Sequence, residues 1–330
     1  MSALKNTGRN IIVIGTSAGG LEALDTLIGQ LPAHLSASIF IVQHMAPENT
    51  GYALLHRLGR HKIFECKLAV DGEMFKPGFI YIAPAESHLL LKKSEILITK
   101  GARENRYRPA VDPLFRSAAV SHGSSVIGVV LTGMLDDGTA GLIAIKKCGG
   151  VTVVQDPKDA AYPDMPLSAL NNMTVDHCVP LAEMGVLLEK LANQHPGKSK
   201  PIPADIRIEA VIAERAVSDV AKVNGLGEQV PYNCPNCGGV LWEMNNPDLL
   251  RYRCHTGHSF TASALLTGQT EKIEETLWVS LRMFEEHKNL LKNMAEKSGG
   301  PNSKSSYLQR AKEAQVHVDR IRAMILTPEK

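Results

Sequence analysis

The sequence predicts an α/β protein: a doubly wound, mostly parallel sheet, followed by a small C-terminal module made of a zinc ribbon and a helical hairpin. Three observations predict it. From residue 10 to about 193, short β-branched runs alternate with segments of helical period, as strand–helix–strand crossovers require. Further on, "CPNCGG…RYRCHTGH" sets a C-x2-C pair and a C-x3-H pair sixteen residues apart. The chain then ends in two stretches whose apolar residues step by threes and fours. The length, 330 residues, suits one large domain plus a smaller one.

The elements follow in order. "NIIVIG" (10–15) is a strand whose near-continuous apolarity suits burial on both faces. Leu21, Leu24, Leu27, Ile28 and Leu31 then recur at helical spacing and stop at Pro32. "ASIFIVQH" (37–44) is a second strand, with a helix near 50–59 after it. "GFIYIAP" (78–84) is a strand, and "HLLLKKSEILITK" (88–100) is a hairpin turning near Lys93–Ser94. A helix near 113–121 leads to the strand "SVIGVVLT" (125–132), and a helix at about 139–147 leads to "GGVTVVQD" (149–156). "DMP" (164–166) opens a helix with proline near its start, and a helix at about 181–193 closes the unit. "NQHPGKSKPIP" (193–203) is polar and proline-rich and reads as a linker, followed by a modest helix near 205–222. The expected divisions are therefore 1–193, a linker with a short helix over 194–230, and 231–330. The last of these ends in a helix carrying Ile273, Leu277, Leu281, Phe284, Leu291 and Met294 and another carrying Ala311, Ala314, Val318, Ile321 and Ile325. With "SGGPNSKSS" between them they read as an antiparallel hairpin that packs within the chain, joins it to a second copy or binds a partner.

Composition narrows the classes. Apolar content of 44% and charged content of 21% are those of a globular protein, and a net charge of +2 gives no field that would draw nucleic acid or membrane. No apolar run approaches the ~18 residues of a membrane span. "MSALKNTGRN" lacks the apolar core of a secretory signal, so a cytoplasmic protein without membrane insertion is expected. Of six cysteines, Cys66, Cys148 and Cys178 are scattered and read as small buried apolar residues. Cys234, Cys237 and Cys254 cluster with histidines, which in a reducing compartment suggests metal.

"GTSAGG" places Ser17 in G-x-S-x-G between a strand and a helix, the setting of a nucleophile elbow. Two other readings stand beside it. A dinucleotide fingerprint would want glycine at position 17, and a plain Gly/Ser turn would need no chemistry. Candidate partners lie at other strand ends. His44 closes "IVQHMAP", while Asp136 and Asp137 follow the strand "VIGVVLT". Taken singly, His44 reads as structural or incidental and the aspartates as turn or cap residues. Together at the carboxyl ends of three parallel strands, Ser, His and Asp supply a nucleophile, its base and the group that orients the base.

At these residues the sequence resembles the catalytic domain of the chemotaxis protein-glutamate methylesterases, the CheB type. The resemblance covers about residues 8–194 and rests on "VIGTSAGGLEAL", "FIVQHMAP", "GFIYIAPAESHLLL", "RYRPAVDPLFRSAA", "GVVLTGMLDDGTAGL" and "VVQDPKDAAYPDMPLSAL". It implies hydrolysis of receptor glutamate γ-methyl esters with release of methanol, deamidation of certain receptor glutamines, and no catalytic cofactor. It implies Ser17 as nucleophile, His44 as base, Asp137 as orienting acid and the Met134 backbone amide as an oxyanion donor. Ala18 departs from the threonine that follows the serine in well-known members. The catalytic pattern begins near residue 10, so a stand-alone form without the family's phosphorylatable receiver domain is expected. Arg106 and Arg108 could meet acidic substrate surface; His88 reads as structural.

Cys234, Cys237, Cys254 and His258 form a Cys3His set with zinc-ribbon spacing, and four protein ligands mean a structural ion. His258 is preferred to His255, because side chains adjacent in sequence to another ligand, here Cys254, seldom converge on one metal. The rival, a C-x-x-C redox pair, leaves Cys254 and His258 without a role. Arg251 and Arg253 raise nucleic-acid binding, but no longer basic run or aromatic pattern accompanies them. The function class competing with a hydrolase is a regulatory protein that keeps the α/β shell without turnover and signals through the zinc/helix module.

Overall fold

A computed structural model describes residues 8–45, 51–198, 200–215 and 220–327. The chain divides after Leu265 into two units. The first contains β1 (Ile11–Thr16), α1 (Gly20–Gln30), β2 (Ser38–Gln43), α2 (Tyr52–Gly59), β3 (Glu65–Leu68), β4 (Phe79–Ile82), β5 (His88–Lys92), β6 (Glu95–Thr99) and α3 (Val111–His122). It continues with β7 (Val126–Val130), α4 (Thr139–Lys147), β8 (Val151–Gln155), α5 (Asp164–Asn172), β9 (His177–Val179) and α6 (Leu181–Ala192). The same unit holds α7 (Ala204–Arg215), α8 (Val220–Asn224), β10 (Gly227–Asn233), β11 (Val240–Met244), β12 (Arg251–Cys254) and β13 (Ser259–Thr261).

Seven strands form one sheet in the order β3-β4-β2-β1-β7-β8-β9, and every pairing is parallel. The expected antiparallel hairpin forms, but as a separate sheet of β5 and β6. Successive side chains of β1 serve opposite cores. Ile12 and Ile14 pack with Leu24, Leu27 and Leu188 of α1 and α6, while Ile11 and Val13 pack with Leu114, Phe115 and Leu142 of α3 and α4. From β1 the chain crosses to β2 on one side; from β7 it crosses to β8 on the other. The carboxyl ends of β1 and β7 thus flank the point where winding reverses, where open α/β sheets gather their ligands.

The described residues of 194–265, set apart by the sequence as linker and metal segment, pack onto this sheet domain. Ile202 and Ile206 join its core, and a four-stranded sheet, β10-β11-β12-β13, follows. A buried ion network accounts for the attachment. Arg116 of α3 binds Glu104 through Nη2 at 2.7 Å, Arg253 of β12 reaches Glu104 at 3.2 Å and Glu209 of α7 at 2.8 Å, and Arg251 holds Glu209 with two bonds of 3.0 and 2.9 Å. Arg251 and Arg253 are therefore interior residues facing carboxylates, not a basic surface for phosphates.

The second unit runs through α9 (Ala262–Lys297), which begins in the first unit, and α10 (Pro301–Leu326). The hairpin is antiparallel: Phe284 stacks on His317 at 5.0 Å, and Lys288 Nζ donates to Gln315 Oε1 at 2.9 Å. The spacer is shorter than "SGGPNSKSS", since Pro301 occupies the first turn of α10, where its missing N–H costs nothing. Among the described residues no helix is long and apolar enough to cross a membrane. The helix expected near 205–222 is α7 and α8; residues 216–219, like residue 50 of the helix near 50–59 and residue 199 of the linker, lie outside the described residues. Cys148 is buried and Cys66 half-buried, but Cys178 on the edge strand β9 is exposed, contrary to its reading as a core residue.

Candidate active site and candidate metal centre

The register of β1 on β2 pairs Thr16 with Gln43, so Ser17 and His44 are the next residues on adjacent parallel strands. The His44 N–H donates to Thr16 O at 3.1 Å. Ser17 is also tied to the loop after β7, its N–H donating to Thr132 O at 3.1 Å. Gly19, at φ 75°, turns the chain into α1. Gly133 lies against the serine: a Cβ there would stand 2.8 Å from Ser17 Cβ and 2.1 Å from Met165 Sδ. Met134, the next residue, thereby enters the loop that borders Ser17.

His44 Nε2 lies 2.7 Å from Asp137 Oδ2. The ring stacks on Tyr107 with centroids 3.6 Å apart and planes 11° from parallel. His44 Nδ1 is buried and has no hydrogen-bond partner, so Ser17 Oγ does not bond to it in this conformation. Because the Asp137 carboxylate only accepts, the neutral ring carries its proton on Nε2 and keeps the Nδ1 lone pair free.

Asp137 is held from several sides. Its oxygens accept from His44, from Asn105 Nδ2 at 2.9 Å, and from the main-chain N–H groups of Val111 at 2.6 Å, Asp112 at 3.2 Å and Gly138 at 3.0 Å. Burial opposes its charge, but the bond and charge of His44 and the bonds from Val111 and Asn105 outweigh burial and hold the carboxyl below its ordinary range. Asp112 is its buried neighbour, bridged to it by the same Asn105 amide at 2.8 Å. Burial and then the Asp137 charge push the Asp112 carboxyl up. Asp136 faces elsewhere, bonded by Thr261 Oγ1. Of the two aspartates in "LDDG", it is Asp137 that meets His44.

Ser17, His44, Tyr107, Arg103 and Arg106 line one cleft of about 560 Å³. Arg108 is turned away, its guanidinium bonded to Gly101 O at 3.0 Å and Glu86 at 2.8 Å. His88 is buried between Ala102 O and the Ala110 N–H. Sequence reasoning missed Asn105, Tyr107 and Asp112. The local signal for Asn105 is a non-glycine residue at φ 48°, where asparagine is favoured, but backbone angles are not written in the sequence.

The Cys3His residues converge. One ligand atom from each of Cys234, Cys237, Cys254 and His258 lies within 4.8 Å of all the others. Cys237 Sγ is 3.8 Å from Cys254 Sγ, and Cys254 Sγ is 3.5 Å from His258 Nδ1. Those separations are the edges of a tetrahedron with Zn–S of ~2.3 Å and Zn–N of ~2.0 Å. Gly238, at φ 73°, donates to Cys234 O at 2.8 Å and closes the knuckle around the first pair. His255 lies edge-on against Trp242 instead.

The family model described as CheB methylesterase matches residues 12–188. The chain is 38% identical over 197 residues to protein-glutamate methylesterase/protein-glutamine glutaminase 2 of Rhodospirillum rubrum, covering 58% of this chain and 54% of that one. It is 39% identical over 183 residues to a putative protein-glutamate methylesterase/protein-glutamine glutaminase of Leptospira interrogans, covering 54% of this chain and 93% of that one. The crystal structure of the Thermotoga maritima CheB methylesterase catalytic domain superposes with a TM-score of 0.53 at 38% identity, over 55% of this chain and 98% of that one. The chain thus spans about half the length of the Rhodospirillum relative and nearly all of the Thermotoga catalytic domain.

Proposed function

As this chain belongs to the CheB methylesterase family, we propose that it is a serine hydrolase that demethylates glutamate γ-methyl esters, and deamidates glutamines, on a cytoplasmic or cytoplasm-facing protein such as a chemoreceptor. The observation that carries the reading is the 2.7 Å bond from His44 Nε2 to Asp137, with a buried, unbonded Nδ1 at the strand end next to Ser17.

In the proposed reaction Ser17 Oγ attacks the ester carbonyl while His44 Nδ1 takes its proton, and Asp137 stabilises the imidazolium. The imidazole is used in reverse of the common triad, with Nε2 toward the acid. The Met134 N–H and the amide end of α1 hold the tetrahedral oxyanion, each such donor being worth roughly 3 kcal/mol of barrier. His44 returns the proton to the leaving oxygen and methanol departs. Water, deprotonated in turn by His44, cleaves the acyl-enzyme to give the glutamate carboxylate and free Ser17. Arg106 on the cleft wall suits an acidic segment around the ester, whereas Arg103 beside it is paired with Glu86 through Nη2 at 3.1 Å. Cys234, Cys237, Cys254 and His258 would hold a structural zinc ion, and no step of the hydrolysis runs through it.

The test is labelling by a fluorophosphonate together with methanol release from methylated receptors. Wild type should react in both and Ser17→Ala in neither. A wild-type chain that takes up no fluorophosphonate would overturn the reading.

A further inference from the structure

The candidate metal segment reaches the hydrolytic residues through a short chain of bonds. His258 is followed at once by β13, which lies against the loop before α3: Asn105 N–H donates to Ser259 O at 2.8 Å, and Ser259 N–H to Arg103 O at 3.4 Å. The Thr261 N–H donates to Asn105 Oδ1 at 3.1 Å. That bond decides which way the Asn105 amide faces. A main-chain N–H can only donate, so Oδ1 must face Thr261, and Nδ2 must face Asp137 at 2.9 Å and Asp112 at 2.8 Å. Asn105 is 2% exposed, so water cannot replace a lost partner. β13 itself is pinned at the metal cluster, where Cys254 N–H donates to His258 O at 2.9 Å between two of the ligands.

We propose that the metal-closed ribbon is a working part of the hydrolase: an ion held by Cys234, Cys237, Cys254 and His258 fixes β13, and β13 sets the Asn105 amide that orients Asp137 toward His44. Asn105 and Thr261 are positioning residues, and the ribbon is an allosteric brace whose occupancy sets turnover at Ser17. The inference rests on the serine hydrolase reading above. The energetic logic is asymmetric. With β13 in place, both Nδ2 hydrogens point at carboxylate oxygens. With it loosened, Oδ1 and the Asn105 main-chain N–H lose their partners, the amide can invert, and an inverted amide sets Oδ1 against the Asp137 charge. Misplacing a catalytic group by about 1 Å costs on the order of a hundredfold in rate.

The experiment uses the full chain. Zinc is counted by atomic emission, stripped with a chelator and restored, while fluorophosphonate labelling and hydrolysis of an activated small ester are followed. Circular dichroism and the downfield proton resonance of the His44–Asp137 bond are recorded alongside. The expected result is one zinc per chain, a roughly hundredfold fall in kcat on stripping with KM little changed, loss of the downfield resonance while the helical signal stays, and recovery on adding zinc. Asn105→Ala in the zinc-loaded chain should show the same fall, and stripping it should lower the rate little further, because both act on one linkage. Equal rates with and without zinc, no zinc bound, or independent and multiplying losses in stripped Asn105→Ala would each overturn the inference and leave the hydrolase reading standing. A zinc-loaded wild type that labels nowhere would overturn both.

Discussion

The backbone at Gly133 passes so near Ser17 that a single added methyl would stand 2.8 Å from its Cβ and 2.1 Å from Met165 Sδ. Neither neighbour can yield freely, since Met165 is fully buried and Ser17 sits on a hydrogen-bonded turn. Gly133→Ala should therefore lower fluorophosphonate labelling by on the order of a hundredfold and cost about 1–3 kcal/mol in a urea melt. Asp136 supports a pH prediction. Burial pushes its carboxyl up to about 6, with the Thr261 hydroxyl acting the other way, and Oδ1 has no partner. A folded-state value above the unfolded 3.8 means the native state keeps a proton that the unfolded chain releases. Stability from this group is whole below pH ~4, falls as pH rises toward 6 and is flat above, a loss of up to about 3 kcal/mol. Asp136→Asn cannot ionise, so its stability relative to wild type should climb between pH 4 and 6 and level off, as chemical melts at fixed pH would read. A difference independent of pH would refute the assignment. At this scale the sequence was uneven. Ser17 and His44 are legible because each ends an apolar strand run, which puts it at the sheet's carboxyl edge. Asn105 is not, because "RENRYRP" carries no apolar period and its burial depends on a ribbon more than 150 residues away, Thr261 being 156 residues on.

Among elements, α7 shows how charge can attach one piece of chain to another. Glu209 is buried and accepts two bonds from Arg251 and one from Arg253. Burial alone would raise its carboxyl, but Arg251, Arg116 and Arg253 outweigh burial and hold it far below the ordinary range. Removing one partner of such a set leaves buried guanidinium groups unanswered, so Glu209→Leu should cost about 3–5 kcal/mol in denaturant melts. Breaking the exposed Lys272–Glu275 pair with Lys272→Ala should leave the melt unchanged within error. Element legibility follows burial. β1, β2, β7 and β8 have both faces covered and read as apolar runs, whereas the edge strands β3, "ECKL", and β9, "HCV", are partly exposed and, at 4 and 3 residues, too short for the alternation of Cys66 and Leu68 to stand out from the loops around it. The start of α10 hides inside a polar, glycine-bounded stretch because proline signals a helix start only when the following turn is already known. The attachment of α7 was illegible for a different reason: its glutamate and the arginines of β12 look like surface charges until their pairing is seen.

For the whole molecule, the boundary of the family match and the boundary of the folded unit differ, and the difference can be tested. The match ends at residue 188, while the first unit runs to Leu265. The Thermotoga catalytic domain covers only 55% of this chain, so a sheet domain of this kind can exist without the added segment. In this chain, however, the sheet domain is built to receive it. Cutting after Ala192 would leave Arg116 and Glu104, 2% and 3% exposed, without Arg253 and Glu209, and would leave Asn105 without Ser259 and Thr261. A buried charge or amide stripped of its partners is costly whatever the rest of the fold does. A chain of residues 1–192 should therefore melt at a lower temperature than one of residues 1–265 and label at Ser17 at least tenfold more slowly. The 1–265 chain should bind zinc and label at the rate of the full protein, because every residue in the line from His258 to His44 lies within it. If instead 1–192 labels as fast as 1–265, the added segment is a passenger on a self-sufficient domain, and the buried arginines and Asn105 have found other partners once it is gone.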